Sequence, residues 1–169
     1  VIQPIRWEKS SASHPRQVLG QVYYSILTGV IGLGQQELYE KLRNIANNPE
    51  RFSGFNQILL TSVSEGRVEG ELADTIATQN PLGGVHGGAL YTLADTAAGL
   101  AVATNGRANV TLDSNLHFLR PPRPGKVYCT AVVRKRGRNI DVCDVSLRDS
   151  EDREVAIGTF TFSKVDRDL

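Results

Sequence analysis

The 169-residue chain has no methionine, a single tryptophan and only two cysteines. Two thiols are too few for a disulfide framework, and Cys129 and Cys143 lack the paired spacing of a zinc site. Both fall in strand-like segments, where small buried thiols are common, so they read as reduced core residues. That favours an intracellular protein, with cytoplasm and mitochondrion both open. The missing methionine carries no functional weight. No run approaches the roughly 18 apolar residues of a membrane span; the most apolar early stretch, Gln21 to Gly34, is broken by Ser25, Thr28 and three glycines. The first residues, with Arg6, Lys9 and several serines, carry some marks of an organelle-targeting segment, but Glu8 and the missing Arg-rich pattern leave it undecided. A net charge of +1 excludes an overall nucleic-acid or membrane character, so any charge argument is local. The most informative scarcity is local too. In the thirty-two residues from Thr75 to Gly106, Asp95 is the only charged side chain.

The length fits about one domain with a core of its own, and no internal repeat appears. Pro15 to Asn48 reads as helical: Val18, Val22, Ile26 and Val30 recur at i+4, and Leu38, Leu42 and Ile45 mark a second face, with Gly29, Gly32 and Gly34 between. A division near Pro49 to Gly54 separates this helical extension (1–54) from a second region (55–169). There, Ile58–Ser64 and Arg67–Leu72 read as strands joined at Glu65-Gly66. A helix is expected over about Gly88–Thr104, then strands near Ala108–Leu119, Lys126–Lys135, Asn139–Arg148 and Glu154–Lys164. Short connections favour an antiparallel sheet, here a hairpin, a helix and a meander, which is an α+β pattern. The helix is rich in Ala and Gly, so a curved sheet wrapped around it can approach closely.

Asp95 lies mid-helix among Leu93, Ala94, Ala97, Ala98 and Leu100. Aspartate is a poor interior helix residue, and a carboxylate among apolar neighbours is costly unless paired or protonated. Either it faces solvent or caps a backbone group, or it is a base or nucleophile tuned by its surroundings. Ahead of the helix, Asn80 to Gly88 places paired glycines at a helix N-terminus. Free N–H groups there suit a developing oxyanion, though a tight loop also asks for glycine. Gly87 and Asp95 are eight residues apart, about 12 Å along a helix. A base and an oxyanion donor must both lie within about 3 Å of the reacting atoms. One helix cannot bring both to one carbonyl, so if both act the site is shared by two subunits across a twofold axis.

Asn80-x5-His86-Gly87-Gly88-x6-Asp95, followed by Phe118-Leu119-Arg120-Pro121, resembles the PaaI-like (phenylacetyl-CoA-type) branch of the hotdog-fold acyl-CoA thioesterases. The likeness runs from near Phe55 to Val165. It implies a hotdog fold, with a curved antiparallel sheet around one long helix and the helical segment as an extra. By resemblance, Asp95 activates water or attacks the thioester, and the Gly87 N–H polarises its carbonyl. Asn80 helps orient that carbonyl, His86 shapes the loop, and Thr111 holds the water. The alternation of Val110, Leu112, Ser114 and Leu116 puts Thr111 off the apolar face of its strand. The family pattern implies a homodimer, assembled as a dimer of dimers, and no metal or cofactor, since CoA is part of the substrate. A hotdog hydratase or dehydratase acting on an acyl carrier, and a non-catalytic acyl-CoA-binding regulatory module, are the alternative functions.

Ser114 to Ile140 holds seven bases and no acid. Arg120, Arg123, Arg136 and Arg138 are the candidates to grip CoA phosphates; a solvated hairpin turn is the alternative for Arg134 to Arg136. No aromatic residues interleave with Arg134 to Arg138, which argues against nucleic acid.

Overall fold

The computed structural model describes residues 34–165. The helical reading of residues 15–33 lies outside them. Helix α1 (Gln35–Asn47) buries Leu38, Tyr39, Leu42 and Ala46 along one face. A single turn, α2 (Phe52–Phe55), leads into β1 (Ile58–Ser64) and β2 (Arg67–Leu72). The long helix α3 (Gly87–Ala103) precedes β3 (Asn109–Phe118), β4 (Val127–Arg136), β5 (Ile140–Arg148) and β6 (Glu154–Lys164).

The six strands form one antiparallel sheet in the order β1-β2-β4-β5-β6-β3. The expected meander is corrected at one point. β3 does not pair with β4; it lies at the far edge against β6. Pro121, Pro122 and Pro124 cannot close a tight hairpin that needs backbone donors. The segment after β3 instead crosses the ends of neighbouring strands: Leu119 N donates to Val155 O at 2.8 Å, and Arg123 N to Asp149 Oδ2 at 3.1 Å.

The core lies between α3 and the sheet. Leu93, Ala94, Ala97, Ala98 and Ala101 of α3 are fully buried, with Val68, Leu72, Val127, Ala131, Leu147 and Phe160 of the strands. Small side chains on the helix let the sheet come close. Cys129 and Cys143 are buried free thiols within this core. Leu90 is buried there as well.

The two sheet edges differ. At β1, α1 supplies Asn47, whose amide brackets Leu60: Nδ2 donates to Leu60 O at 2.9 Å and Oδ1 accepts from Leu60 N at 2.7 Å. The side chain thus stands in for a neighbouring strand where β1 is irregular. Among the described residues β3 is paired on one side only, and Val110 and Leu112 on it are exposed.

The end of α3 is sealed by a side chain from the sheet. Arg136 donates to Val102 O at 2.9 Å, Ala101 O at 3.3 Å and Thr104 Oγ1 at 2.9 Å. A cation there satisfies orphan carbonyls and complements the negative end of the helix dipole. Buried Asp141 lies beside it, accepting from Gly137 N at 2.9 Å and facing the Lys164 ammonium at 3.4 Å. Replacing Arg136 by Ala strands two carbonyls and leaves Asp141 with less compensation. We expect a loss of about 2–3 kcal/mol, measured as a lower urea midpoint with an unchanged slope.

Candidate active site

Two groups of candidate residues lie at two heights along α3. The upper group is the loop that starts the helix. Asn80 folds it: its Oδ1 accepts from Leu82 N at 2.9 Å and Gly84 N at 3.3 Å, while Asn80 N donates to Gly84 O at 2.8 Å. These bonds occupy the carbonyl oxygen of Asn80, and its Nδ2 has no partner among the described residues. His86 is the N-cap, and its Nδ1 accepts from Gly88 N at 2.8 Å. This explains Gly88, because a Cβ there would stand 2.9 Å from that nitrogen. Gly87 is different. A Cβ on it would meet only Phe118, at an ordinary 3.6 Å, so contacts within the chain do not require glycine. As the first helical residue, its N–H has no intrahelical acceptor.

The lower group is Asp95 with Thr111, whose Oγ1 donates to Asp95 Oδ1 at 2.9 Å. Burial raises the carboxyl above its ordinary value, and the Thr111 hydroxyl partly offsets this by favouring the charged form. Thr111 reaches the helix because β3 bulges. The register passes from Thr111↔Phe162 to Asp113↔Thr161, leaving Leu112 as the extra residue. Thr111 and Ser114 therefore both share the helix side with Phe162 and Phe160, and Leu112 is turned out to solvent. Simple alternation had placed Val110 and Leu112 on the apolar face with Ser114 and Leu116; the bulge separates the pairs.

One turn earlier on α3, the Tyr91 and Ser114 hydroxyls are hydrogen-bonded, and the Tyr91 ring packs on Phe160 at 5.6 Å. Sequence reasoning passed over this pair. Its only signal is Tyr91 four residues before Asp95, with two hydroxyl residues on one strand at an odd spacing.

The four arginines are divided between opposite ends of the sheet. Arg120 and Arg123 follow Phe118, whose ring adjoins Gly87, so they lie at the end where α3 begins. Arg123 is anchored through its backbone to Asp149. Burial opposes ionisation of that carboxylate, but the Arg153 guanidinium and the N–H groups of Arg123, Arg153 and Glu151 hold it well below the usual range. Arg136 and Arg138 flank the β4–β5 turn at the opposite end, and the donors of Arg136 are committed to the end of α3. Among the described residues no group of three or more His, Cys, Asp and Glu could hold a metal ion, and no helix is long and apolar enough to cross a membrane.

A "putative esterase" of Haemophilus influenzae is 32% identical over 111 residues, 64% of this chain and 80% of that protein, and a thioesterase superfamily model matches residues 82–156. The chain belongs to the thioesterase superfamily. Acyl-coenzyme A thioesterase PaaI of Escherichia coli is 32% identical over 99 residues, 58% of this chain and 71% of that one. The structure of that E. coli protein superposes with a TM-score of 0.68 at 27% identity, covering 76% of this chain and 96% of PaaI. A thioesterase-like protein of Streptococcus pneumoniae, solved with coenzyme A, gives a TM-score of 0.64 at 28% identity over 70% and 94% of the two chains. The sheet and central helix are thus the hotdog fold of a thioester hydrolase, as the sequence motif implied. The superfamily match begins in the Asn80–Gly88 loop and takes in Asp95, Thr111, Arg120 and Arg123.

The raised carboxyl has a consequence for stability. A group whose folded pKa lies above its unfolded value binds protons more tightly in the folded state. Its stabilising contribution is complete below the unfolded pKa and is lost as pH rises through the folded one. Ionised Asp95 in this thioesterase therefore costs stability at neutral pH. Asp95→Asn is expected to raise Tm at pH 7, with the gap over wild type closing as pH falls below the ordinary carboxylate range. A pH series of thermal melts checks this, and a Tm for Asp95→Asn below wild type at pH 7 contradicts it.

Proposed function

We propose that the protein hydrolyses acyl-CoA thioesters at a site shared by two protomers. Asp95 of one protomer is the base or nucleophile, and the Gly87 N–H of the other is the oxyanion donor. The observation that carries this reading is Asp95 itself, a half-buried carboxylate raised by desolvation and held by one hydroxyl. A purely structural residue at that position has no reason to be acidic.

In the water-activating form of the reaction, Asp95 takes a proton from water held with Thr111 as the oxygen bonds to the acyl carbon. Charge gathers on the carbonyl oxygen, where the Gly87 N–H accounts for roughly 3 kcal/mol of stabilisation. The Asn80 Nδ2 is a second donor for the same carbonyl, and His86 fixes the loop that carries both. The C–S bond then breaks, the CoA sulfur leaves as a thiolate and takes up a proton, and the free acid remains. CoA is part of the substrate, and no further cofactor is invoked.

The two-subunit reading rests on distance. Gly87 and Asp95 are about 12 Å apart on one helix, too far to act on one carbonyl. The β3 edge is the surface for the second copy: its exposed backbone side carries Val110 and Leu112, whereas α1 and Asn47 close the β1 edge. Two such dimers would pair as a tetramer. Complementation tests the arrangement directly. Asp95→Asn removes the base. Gly87→Pro removes only the donor, because proline suits the first helical position and His86 already has the extended backbone a preceding residue needs. We expect each variant alone to lose 10²-fold or more in kcat, as a rough figure. Co-refolded in equal amounts, half the dimers are mixed and each holds one intact site, so about a quarter of wild-type activity returns. No recovery on mixing places both groups in one subunit.

Arg120 and Arg123 are our choice for the CoA phosphates, since they lie at the Gly87 end of the helix; Arg138 is the remote candidate, and the helix-capping role of Arg136 removes it from the set. The E. coli relative named as an acyl-coenzyme A thioesterase and the coenzyme A complex of the S. pneumoniae protein support a CoA substrate. Replacing both Arg120 and Arg123 by Gln should raise KM for an acyl-CoA about tenfold and flatten its rise with salt, with little change for the matching acyl-pantetheine. An equal effect on both substrates removes the arginines from phosphate binding.

A further inference from the structure

Three polar contacts join α3 to the edge strand. Asn109 Nδ2 donates to Gly99 O at 3.1 Å, Thr111 Oγ1 donates to Asp95 Oδ1 at 2.9 Å, and the Ser114 and Tyr91 hydroxyls are bonded to each other. On the helix these rungs are residues 91, 95 and 99, each four apart on one face, a step of about 6 Å. On β3 they are residues 109, 111 and 114. The first step is the ordinary two-residue period of a strand. The second spans three residues and fits only because Leu112 is bulged. Thr111 and Ser114 then stand opposite Phe162 and Phe160, two residues apart on β6, a step of about 6.6 Å. Without the bulge, residues 111 and 114 would point to opposite faces, and only one hydroxyl could reach the helix. Among the described residues no strand flanks the outer edge of β3 to fix the bulge.

We propose that Tyr91 is a positioning residue: through Ser114 it fixes the bulge of β3 in the register that brings Thr111 to Asp95. The two contacts bracket Leu112 from opposite sides, so neither Thr111 nor Ser114 can slip by one residue without breaking a bond to α3. The Tyr91 ring rests on Phe160, the residue opposite Ser114, and so the hydroxyl can be deleted while that packing stays. Among the described residues no charged group competes for control of Asp95. Its own helix carries no other charge, and the helix-facing side of β3 presents Asn109, Thr111, Ser114 and Leu116, with Asp113 on the other face. β6 presents Phe160, Phe162 and, at the far end of the helix, Lys164, whose ammonium is paired with Asp141. The buried positions of β1, β2 and β4 are apolar, and Asp141 of β5 is bonded at the far end of the helix. Burial keeps the Cys129 and Cys143 thiols neutral, Cys143 being pushed up to about 12.

The test follows the Asp95 carboxyl by ¹³C NMR titration in the full chain, so it does not depend on turnover. Tyr91→Phe and Ser114→Ala should each move the Asp95 midpoint upward, the direction expected for Thr111→Ala. Adding Tyr91→Phe to Thr111→Ala should add nothing, because both act through one hydroxyl. Ser114→Thr, which keeps a hydroxyl, should hold the midpoint near wild type. In kinetics, Tyr91→Phe should lower kcat on the acid limb by roughly threefold to tenfold, recover at high pH and leave KM unchanged. A midpoint unmoved in both Tyr91→Phe and Ser114→Ala overturns the proposal, as does a rise in KM at every pH with no shift in the titration, which would make Tyr91 a substrate contact. The proposal concerns turnover only through the reading of Asp95 as the catalytic carboxylate. If the midpoint moves as expected while Asp95→Asn retains full activity, that reading fails and the positioning role of Tyr91 stands.

Discussion

The site depends on one contact, the hydrogen bond from Thr111 to a carboxylate embedded in an alanine-rich helix. Ala94, Ala97 and Ala98 around Asp95 offer no polar atoms, so the helix cannot stabilise the charge it carries. That help comes from the sheet, and from its least restrained member. β3 is tied to the fold by β6 on one side and by three side-chain contacts to α3. A central strand would hold its register through two ladders; an edge strand has one, so side chains carry more of the task. The polarity of the α3–β3 seam follows from this. Apart from Arg136 at its C-terminal end, α3 meets the rest of the sheet through apolar side chains, and here it meets it through hydroxyls and amides.

The same edge bears on the proposal that the site is shared by two protomers. The helix places a carboxylate at its middle and a free amide at its start, and their separation is set by the helical rise rather than by anything the loops can adjust. Moving the acid to the first turn would bring the two groups together, but it would also put the carboxylate at the exposed, positive end of the dipole, where its charge is already well stabilised and its basicity falls. Keeping it mid-helix retains the desolvation that raises it, and under the proposed mechanism the amide then comes from a second copy. Among the described residues α1 covers the β1 edge and no strand flanks the outer side of β3.

Much of this was legible in the sequence. The hairpin at Glu65-Gly66, the start of α3 and the limits of β6 follow from turn residues and apolar runs, and Asp95 stands out because nothing near it is charged. Three features escaped. The bulge at Leu112 is invisible to alternation, since hydrophobic residues at 110 and 112 continue the pattern that the bulge breaks. Arg136 reads as one more base in a basic run, because its acceptors, the carbonyls of Ala101 and Val102, lie more than thirty positions away. The placement of β3 beside β6 depends on long-range pairing; local signals indicate only that the prolines after Phe118 prevent a tight turn. In each case the deciding partner is distant in sequence, and that is where local pattern loses its hold.

The two ends of α3 complete the picture by their difference. At the C-terminal end a guanidinium covers the free carbonyls, with Asp141 and Lys164 packed behind it. At the N-terminal end His86 satisfies the N–H of Gly88, and that of Gly87 has no acceptor among the described residues. Glycine at 87 sharpens the contrast, for the chain around it has room for a methyl group and makes no use of the space. The unfilled valence and the unfilled volume coincide at one backbone atom, at the end of the helix nearest Arg120. In the proposed reaction, that is where the carbonyl oxygen of the substrate takes its backbone hydrogen bond.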